Sequence, residues 1–214
     1  MNGSRVVLVP LRSFADAKSR LSSVLNADQR QRLAEKSAKR VILSAGMSRT
    51  LVVCDDQNVA NWAHRIGVKT LQVSAVGLNA SLQEAVPALL DQMKPREVVI
   101  VHGDLAFPAA LTALDDLVSP DVDVEKRIFI IPDRHGDGTN VLGIGSAYLE
   151  GWRFSYGPGS FHAHQEQAYS HAASLNIIRH ADLGVDIDTP DDLKDGRVRS
   201  VVKSLLPDWN PHEQ

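Results

Sequence analysis

Glu97-Val98-Val99-Ile100-Val101-His102-Gly103-Asp104-Leu105 carries four aliphatic residues in a row and then turns abruptly polar. An unbroken apolar run of this length suits a strand covered on both faces, as in a parallel sheet, more than a strand with one face in water. Asp104 then stands at a strand's carboxyl end. Three runs of the same kind precede it: Arg5 to Leu11, where Pro10 stops V-V-L-V, Thr50 to Cys54, and Val68 to Val73. Helical patterns lie between them. Asn26 with Gln29 three residues on is a helix-start signal, and Ala34, Ala38, Val41, Ile42 and Ala45 share one stripe before Gly46. Asn58 to Ile66 reads as a short helix stopped at Gly67. In G-L-N-A-S-L, Gly77 gives backbone freedom and Asn79 is the expected cap of a helix reaching about Met93, with a kink or break at Pro87. Leu111 to Val118 completes another helix. This β-α-β-α-β-α-β alternation predicts an α/β fold with a mostly parallel twisted sheet and helices on both faces.

Beyond residue 118 the pattern changes. The acidic S-P-D-V-D-V-E, residues 119–125, reads as a surface connection, and Ile128 to Ile131 as a fifth strand. P-D-R-H-G-D-G-T-N, residues 132–140, has glycines and small polar groups that let backbone donors approach an anion, but on local pattern it reads first as a hairpin tip, since V-L-G-I-G follows at once. Trp152 to Tyr156 is a further strand candidate, ending in G-P-G-S, where Ser160 is placed to cap a helix from near Phe161. Asn176 to Arg179 is a last short strand. Residues 127–189 are thus expected to form a strand-rich extension closing over the sheet end.

Val185-Asp186-Ile187-Asp188-Thr189-Pro190-Asp191-Asp192 is the second informative stretch. If Val185 to Asp188 ends a strand, Asp186 and Asp188 share one face while Ile187 points inward. At roughly 7 Å and an effective dielectric near 20, the two carboxylates would repel by about 2 kcal/mol, which a divalent cation with oxygen ligands offsets. Capping of a helix from Pro190 by Thr189, with Asp191 and Asp192 at its positive end, explains the last four residues but not Asp186 and Asp188. Local pattern leaves metal binding and a purely structural role equally open for that pair.

At 214 residues, with 43% hydrophobic and 23% charged residues, the chain suits one globular domain, residues 1–214. A net charge of −3 gives no basic field for nucleic acid, so an anionic ligand must be held by local groups. The single cysteine, Cys54, sits in an apolar run and reads as a buried free thiol. The apolar segment of MNGSRVVLVPLRSF is too short for a signal peptide, and no run approaches membrane-spanning length; the expectation is a cytoplasmic protein without a membrane partner. The pattern does not speak to oligomeric state.

Open α/β sheets bind ligands at the carboxyl ends of their strands. Four segments should meet there: the loop after the first strand with Arg12, Lys18 and Arg20, the G-L-N loop, the Asp104 loop, and the Asp186/Asp188 segment. Cations on the first and carboxylates on the last two suit a metal-bound polyphosphate, with Asp104, Asp186 and Asp188 able to hold one or two Mg²⁺ ions and Lys18 and Arg20 to neutralise phosphate oxygens, although the spacing of those two alone does not overturn a solvated loop. Among eight histidines, His135 in the glycine-rich loop is the best placed to touch an anion. His162 and His164, two apart on a helix, face different ways and do not share a metal. Arg197, Arg199 and Lys203 read as a solvated helix face.

V-P-L-R with A-K-S-R-L, the G-L-N loop, G-D-L, D-R-H-G-D-G-T-N, Y-G-P-G-S-F and D-I-D-T-P-D-D-L occur in this order across nearly the whole chain. That set resembles the CofC/FbiD guanylyltransferases of coenzyme F-420 biosynthesis. The resemblance implies a nucleotidyltransferase fold related to glycosyltransferase A and the nucleotide-diphospho-sugar transferases. It implies transfer of GMP from GTP to a phosphorylated three-carbon acid (2-phospholactate, phosphoenolpyruvate or 3-phosphoglycerate), with release of pyrophosphate. Carried over, it makes Asp104, Asp186 and Asp188 the Mg²⁺ ligands and catalytic residues together with Lys18. Thr139, Gly157 and Ser160 hold the acid, and Lys18, Arg20, Gly77 and Asn79 the nucleotide. Two positions depart from the family pattern: Arg12 stands where Lys is usual, and Leu105-Ala106-Phe107 where Leu-Pro-Leu is usual. The competing expectations are a nucleotidyltransferase of the same fold with another nucleotide or acceptor, such as a sugar phosphate or a molybdopterin-like group, and an inactive nucleotide-binding module.

Overall fold

The computed structural model describes residues 5–118 and 122–210; the S-P-D of the acidic connection and both chain ends lie outside them. Strand β1 (Arg5–Pro10) leads through a loop into helix α1 (Ala27–Ala45). The capping box is formed: Asn26 Oδ1 accepts from the Gln29 amide at 2.9 Å and Gln29 Oε1 from the Asn26 amide at 3.0 Å. Then follow β2 (Thr50–Cys54), α2 (Gln57–Arg65), β3 (Lys69–Gln72), α3 (Leu78–Met93) and β4 (Glu97–Val101). A 3₁₀ turn (Pro108–Ala113) runs into the short α4 (Leu114–Leu117). The second half contributes β5 (Arg127–Pro132), β6 (Thr139–Gly145), α5 (Ser146–Leu149), α6 (Ser160–Ser170), β7 (Ser174–Ile177) and α7 (Gly196–Leu205).

All seven strands join one sheet in the order β3-β2-β1-β4-β6-β5-β7. Only β6 runs against the others, pairing antiparallel with β4 and β5. The polar segment 132–140 is therefore a hairpin tip, as its local pattern favours. Because β6 is reversed, its first residues, Thr139 and Asn140, lie beside the end of β4, and His102 N donates to Asn140 O at 3.1 Å. The strand order also reverses at β1, whose neighbours β2 and β4 lie on opposite sides. The mouth between the ends of β1 and β4 is the switch point at which such sheets bind ligands.

Alternation along β1 feeds two layers. Val7 and Val9 pack with α1 and α2, whereas Val6 and Leu8 pack with α3 and the aromatic residues Trp152, Phe154, Tyr156 and Phe161. A third apolar cluster joins Leu21 and Leu25 of the basic loop to Ala106, Val185, Ile187 and the inner face of α7. That cluster fixes the loop after β1 against the Asp186/Asp188 segment.

Several local expectations are corrected. Helix α3 runs unbroken through Pro87. Its N-cap is Gly77, and the Asn79 side chain caps nothing: it donates to Tyr156 O at 2.9 Å and accepts from Tyr156 N at 2.7 Å. Gln83 treats Trp152 O and Phe154 N similarly, at 3.1 and 3.4 Å. Side-chain amides thus take the place of a neighbouring strand, so Trp152–Tyr156 is extended without being a strand of the sheet. Ser160 is the first helical residue of α6 rather than its cap; Gly159, at φ 73°, occupies the cap position, a left-handed conformation that suits glycine. Val185–Asp188 forms a single antiparallel bridge, Leu105 with Asp186, instead of a strand. The faces still alternate as expected, with Val185 and Ile187 buried and both aspartates facing the mouth side. Thr189, by contrast, is the N-cap of Pro190–Lys194 as expected, in a capping box with Asp192: the buried Asp192 carboxylate accepts from the amides of Thr189 (2.6 Å) and Asp188 (2.9 Å) and from the Thr189 hydroxyl (3.0 Å), and pairs with Arg134.

Candidate active site

Three segments far apart in sequence converge at the β1/β4 switch point. Lys18 Nζ lies 2.6 Å from Asp104 Oδ2 and 3.7 Å from Asp188 Oδ1. Arg20 Nη1 donates to Asp188 Oδ2 at 2.7 Å. The Asp186 backbone is held against the Asp104 loop by Ile187 N to Asp104 O (3.1 Å) and Ala106 N to Val185 O (2.8 Å). Gly103 leaves room for the loop after β1, since a Cβ there would lie 2.6 Å from Leu11 Cδ2. The unusual Leu105-Ala106-Phe107 is accommodated: Leu105 and Ala106 are fully buried, and the Arg197 guanidinium stacks over Phe107 at 4.2 Å.

The charges here are unbalanced. Burial acts to lower the Lys18 pKa, but Asp104 first, then Asp188 and Asp186, raise it overall, so the ammonium persists. Burial likewise acts to raise Asp104, and Lys18 with His102 brings it below its ordinary value. For Asp186 the balance goes the other way: burial, then the Asp104 charge, outweigh the pull of Lys18 and push it up to about 7. A carboxylate held this high marks a site that would accept more positive charge. Lys18 is also one of only three non-glycine residues at positive φ among the described residues (57°), so its backbone is held in a conformation it disfavours in order to stand here.

Whether Mg²⁺ suits these residues can be judged from the donor set. Asp104 Oδ1 is buried and has no partner among the described residues, and Asp186 and Asp188 supply further hard oxygen donors at the same mouth. Mg²⁺ binds typically through one or two carboxylates plus substrate phosphate oxygens, so the donors fit. Among the described residues no group of three or more His, Cys, Asp or Glu side chains already stands in metal-binding geometry. Lys18 takes up the other oxygen of Asp104.

Beside this mouth a second set of groups assembles. Thr139 and Ser160 are buried, and Gly157, at φ 130°, leads into the turn that starts α6. Asp137 of the hairpin tip accepts from Gly159 N through Oδ1 (3.1 Å) and from Phe161 N through its backbone oxygen (2.9 Å), tying the tip to α6. The Tyr156 ring lies 5.1 Å from that of His102, linking this set to the Asp104 loop. His135 is exposed on the tip, away from these contacts, and His162 is exposed while His164 is buried, as their spacing requires. Gly77 is the N-cap of α3, and the Asn79 amide is committed to Tyr156, so neither is brought into contact with the Lys18–Asp104–Asp188 group. Arg12 is exposed and ion-paired to none of the described residues. His164, the buried Asp192 and the amides of Gln83 were missed from sequence. For His164 the available signal was its place four residues after Ser160, on the same helix face.

A switch-point crevice with carboxylates on one wall and cations on the other, over a largely parallel sheet, defines a protein of the nucleotidyltransferase class. Solved structures agree on the fold. A nucleotide-diphospho-sugar transferase from Desulfovibrio desulfuricans superposes with TM-score 0.69 at 17% identity, over 97% of this chain and 95% of that one. A cytidylyltransferase from Leptospira borgpetersenii superposes with TM-score 0.60 at 14% identity, over 99% and 98%. The family described as "Guanylyl transferase CofC like" matches residues 5–198, and the chain belongs to that family. It is 32% identical to a phosphoenolpyruvate guanylyltransferase of Sphaerobacter thermophilus, over 89% of this chain and 91% of the relative. It is 25% identical to a 2-phospho-L-lactate guanylyltransferase of Methanocaldococcus jannaschii, over 96% and 91%.

Proposed function

We propose that this guanylyltransferase transfers GMP from GTP to a phosphorylated three-carbon acid, releasing pyrophosphate, as a step of coenzyme F-420 biosynthesis. The observation that carries the reading is the meeting of Lys18 with both Asp104 and Asp188 while Asp186 is bridged to the Asp104 loop. The acid's phosphate oxygen forms a bond to the α-phosphorus as the bond to the β-phosphate oxygen breaks, and pyrophosphate leaves. A phosphate nucleophile is already ionised at neutral pH, so no general base is needed. The difficulty is bringing two anions together.

Lys18 and Arg20 offset that repulsion from the β1 side, and the exposed Arg12 adds a third cation to the same loop. Asp104, Asp186 and Asp188 are the residues that would hold Mg²⁺. The ion, when bound, supplies charge neutralisation on the transferring and leaving phosphate oxygens. Thr139, Gly157 and Ser160 would orient the acid, with the α6 N-terminus favouring its negative charge.

Phosphoenolpyruvate is the acid to try first, because relatives at 30–32% identity carry that name. The test is incubation with GTP and Mg²⁺ plus phosphoenolpyruvate, 2-phospholactate, 3-phosphoglycerate or a sugar phosphate, following pyrophosphate and the mass of the guanylylated product. One of the three acids should give product, and a strong chelator should abolish it. Turnover with the sugar phosphate alone, or undiminished turnover in chelator, would overturn the reading.

A further inference from the structure

The His164 imidazole is enclosed on every side and makes two hydrogen bonds, one through each ring nitrogen. Nε2 stands 3.2 Å from the backbone amide of Ser155, and Nδ1 stands 3.0 Å from the Thr139 hydroxyl oxygen. A neutral imidazole has one N–H and one lone pair. The Ser155 amide can only donate, so Nε2 must be the acceptor and the ring proton must sit on Nδ1. Nδ1–H then donates to Thr139 Oγ1. Burial, and then the neighbouring His102, hold the ring pKa down at about 4, which keeps it neutral near pH 7.

The consequence falls on Thr139. Its hydroxyl has one partner among the described residues, His164, and that partner uses up an oxygen lone pair. The hydroxyl proton is therefore turned away from the ring and left available as a donor. With the ring proton on Nε2 instead, the hydroxyl would spend its proton on Nδ1 and offer a ligand only a lone pair, which an anion does not want.

We propose that His164 is a positioning residue that, by holding its proton on Nδ1, fixes the Thr139 hydroxyl as a hydrogen-bond donor to the anionic acid and anchors the Ser155–Gly157 segment beside it. The inference rests on the reading of Thr139, Gly157 and Ser160 as the acid subsite. It adds the reason that a threonine buried to 1% exposure can present a donor of fixed direction. His164 lies one turn after Ser160 on α6, so a single helix face carries both a subsite residue and the group that orients another.

Two measurements test it. Nitrogen-15 NMR of the whole protein, without ligand, reads the tautomer directly: the expected result is protonated Nδ1 and unprotonated Nε2, and the reverse overturns the proposal whatever the enzyme's substrate. Kinetics with GTP and phosphoenolpyruvate then compare amide replacements. His164→Asn can place an N–H near the Nδ1 position and keep the donor to Thr139; His164→Gln can place an oxygen near the Nε2 position and keep the Ser155 bond while losing that donor. The acid's KM should rise about tenfold in His164→Gln, the scale of one oriented hydrogen bond, with the GTP KM within about twofold of wild type. His164→Asn should restore most of the loss. Equal rises in both KM values would show a merely structural ring and overturn the proposal. Thr139→Val separates the two readings: an unchanged acid KM in that variant removes the subsite assignment and the proposal with it, whereas a raised acid KM alongside an Nε2–H tautomer removes the proposal alone.

Discussion

Lys18 combines a left-handed backbone, a buried side chain and two carboxylate neighbours, and each has a separate measurable effect. A non-glycine residue in that conformation costs about 1 kcal/mol, which glycine would not. Lys18→Gly and Lys18→Ala should both lose turnover by about a hundredfold or more, since both remove the cation. Lys18→Gly should be the more stable of the two in urea titration by about 1 kcal/mol. Equal stability would mean that the backbone there is not under strain. Cys54 shows the opposite situation. Burial first, then Asp55 and Asp56, push its thiol up to about 11, so at pH 8 it should resist a thiol-specific disulfide reagent until the protein is unfolded. At this scale the sequence offered Lys18, Arg20, Asp104, Asp186 and Asp188 as candidates, each with a structural reading beside it, and only the fold shows that they meet at one mouth. His164 was not among them. A buried histidine is indistinguishable in sequence from a surface one until its helix is placed on the sheet.

At the scale of elements, the segment 152–156 shows why pattern reading stops where it does. W-R-F-S-Y alternates like a strand and is extended, yet its partners are the amides of Asn79 and Gln83 and the ring of His164. Nothing local in the sequence announces a helix side chain standing in for a strand. Asn79→Ala removes two of these bonds and should cost about 2 kcal/mol, with faster amide exchange confined to residues near Tyr156. The same region carries a pH dependence. His164 binds a proton near 6.5 when unfolded and near 4 when folded, enclosed by Thr139, the Ser155 amide and the rings of Trp152 and Tyr156, with His102 the nearby titratable group that also lowers it. Between those values the unfolded chain binds more protons, so stability is complete above about pH 6.5 and falls as pH drops towards 4, by roughly 3 kcal/mol. Urea titrations at pH 7 and 4.5 should show the loss in wild type and a smaller one in His164→Gln. An identical loss in both would assign it to other groups. The strands β1, β2, β4 and β5 and the ends of α1 were readable, because apolar runs and a capping box depend on neighbours in the chain alone.

Across the whole molecule, β4 carries a carboxylate near each end, and the surroundings divide the labour. At the amino end Glu97 is fully buried between Arg5 (2.6 Å) and Arg127 (2.8 Å), and Arg5 also reaches Asp115 at 2.5 Å. At the carboxyl end Asp104 faces Lys18 with one oxygen left over. Sequence alone gave Glu97 no reason to stand out, since its two partners come from the first and fifth strands and meet it only through the order β1-β4-β6-β5. Both carboxylates balance arginine or lysine, but only one does so completely. Glu97→Gln keeps the shape and leaves two guanidinium groups without their shared anion, a loss of about 3 to 5 kcal/mol for a buried pair. Asp104→Asn removes a charge that Lys18 and His102 favour against burial, but Lys18 keeps Asp188 at 3.7 Å, so the loss should be smaller than at Glu97. The expected outcome is therefore a crossed pattern. Glu97→Gln should lower the urea midpoint sharply while its kcat, measured at a temperature where it is folded, stays within about threefold of wild type. Asp104→Asn should lower the midpoint less than Glu97→Gln does and lose turnover by about a hundredfold or more. Parallel losses of stability and turnover in both variants would mean that the two ends of the sheet are coupled and that the division drawn from their geometry does not hold.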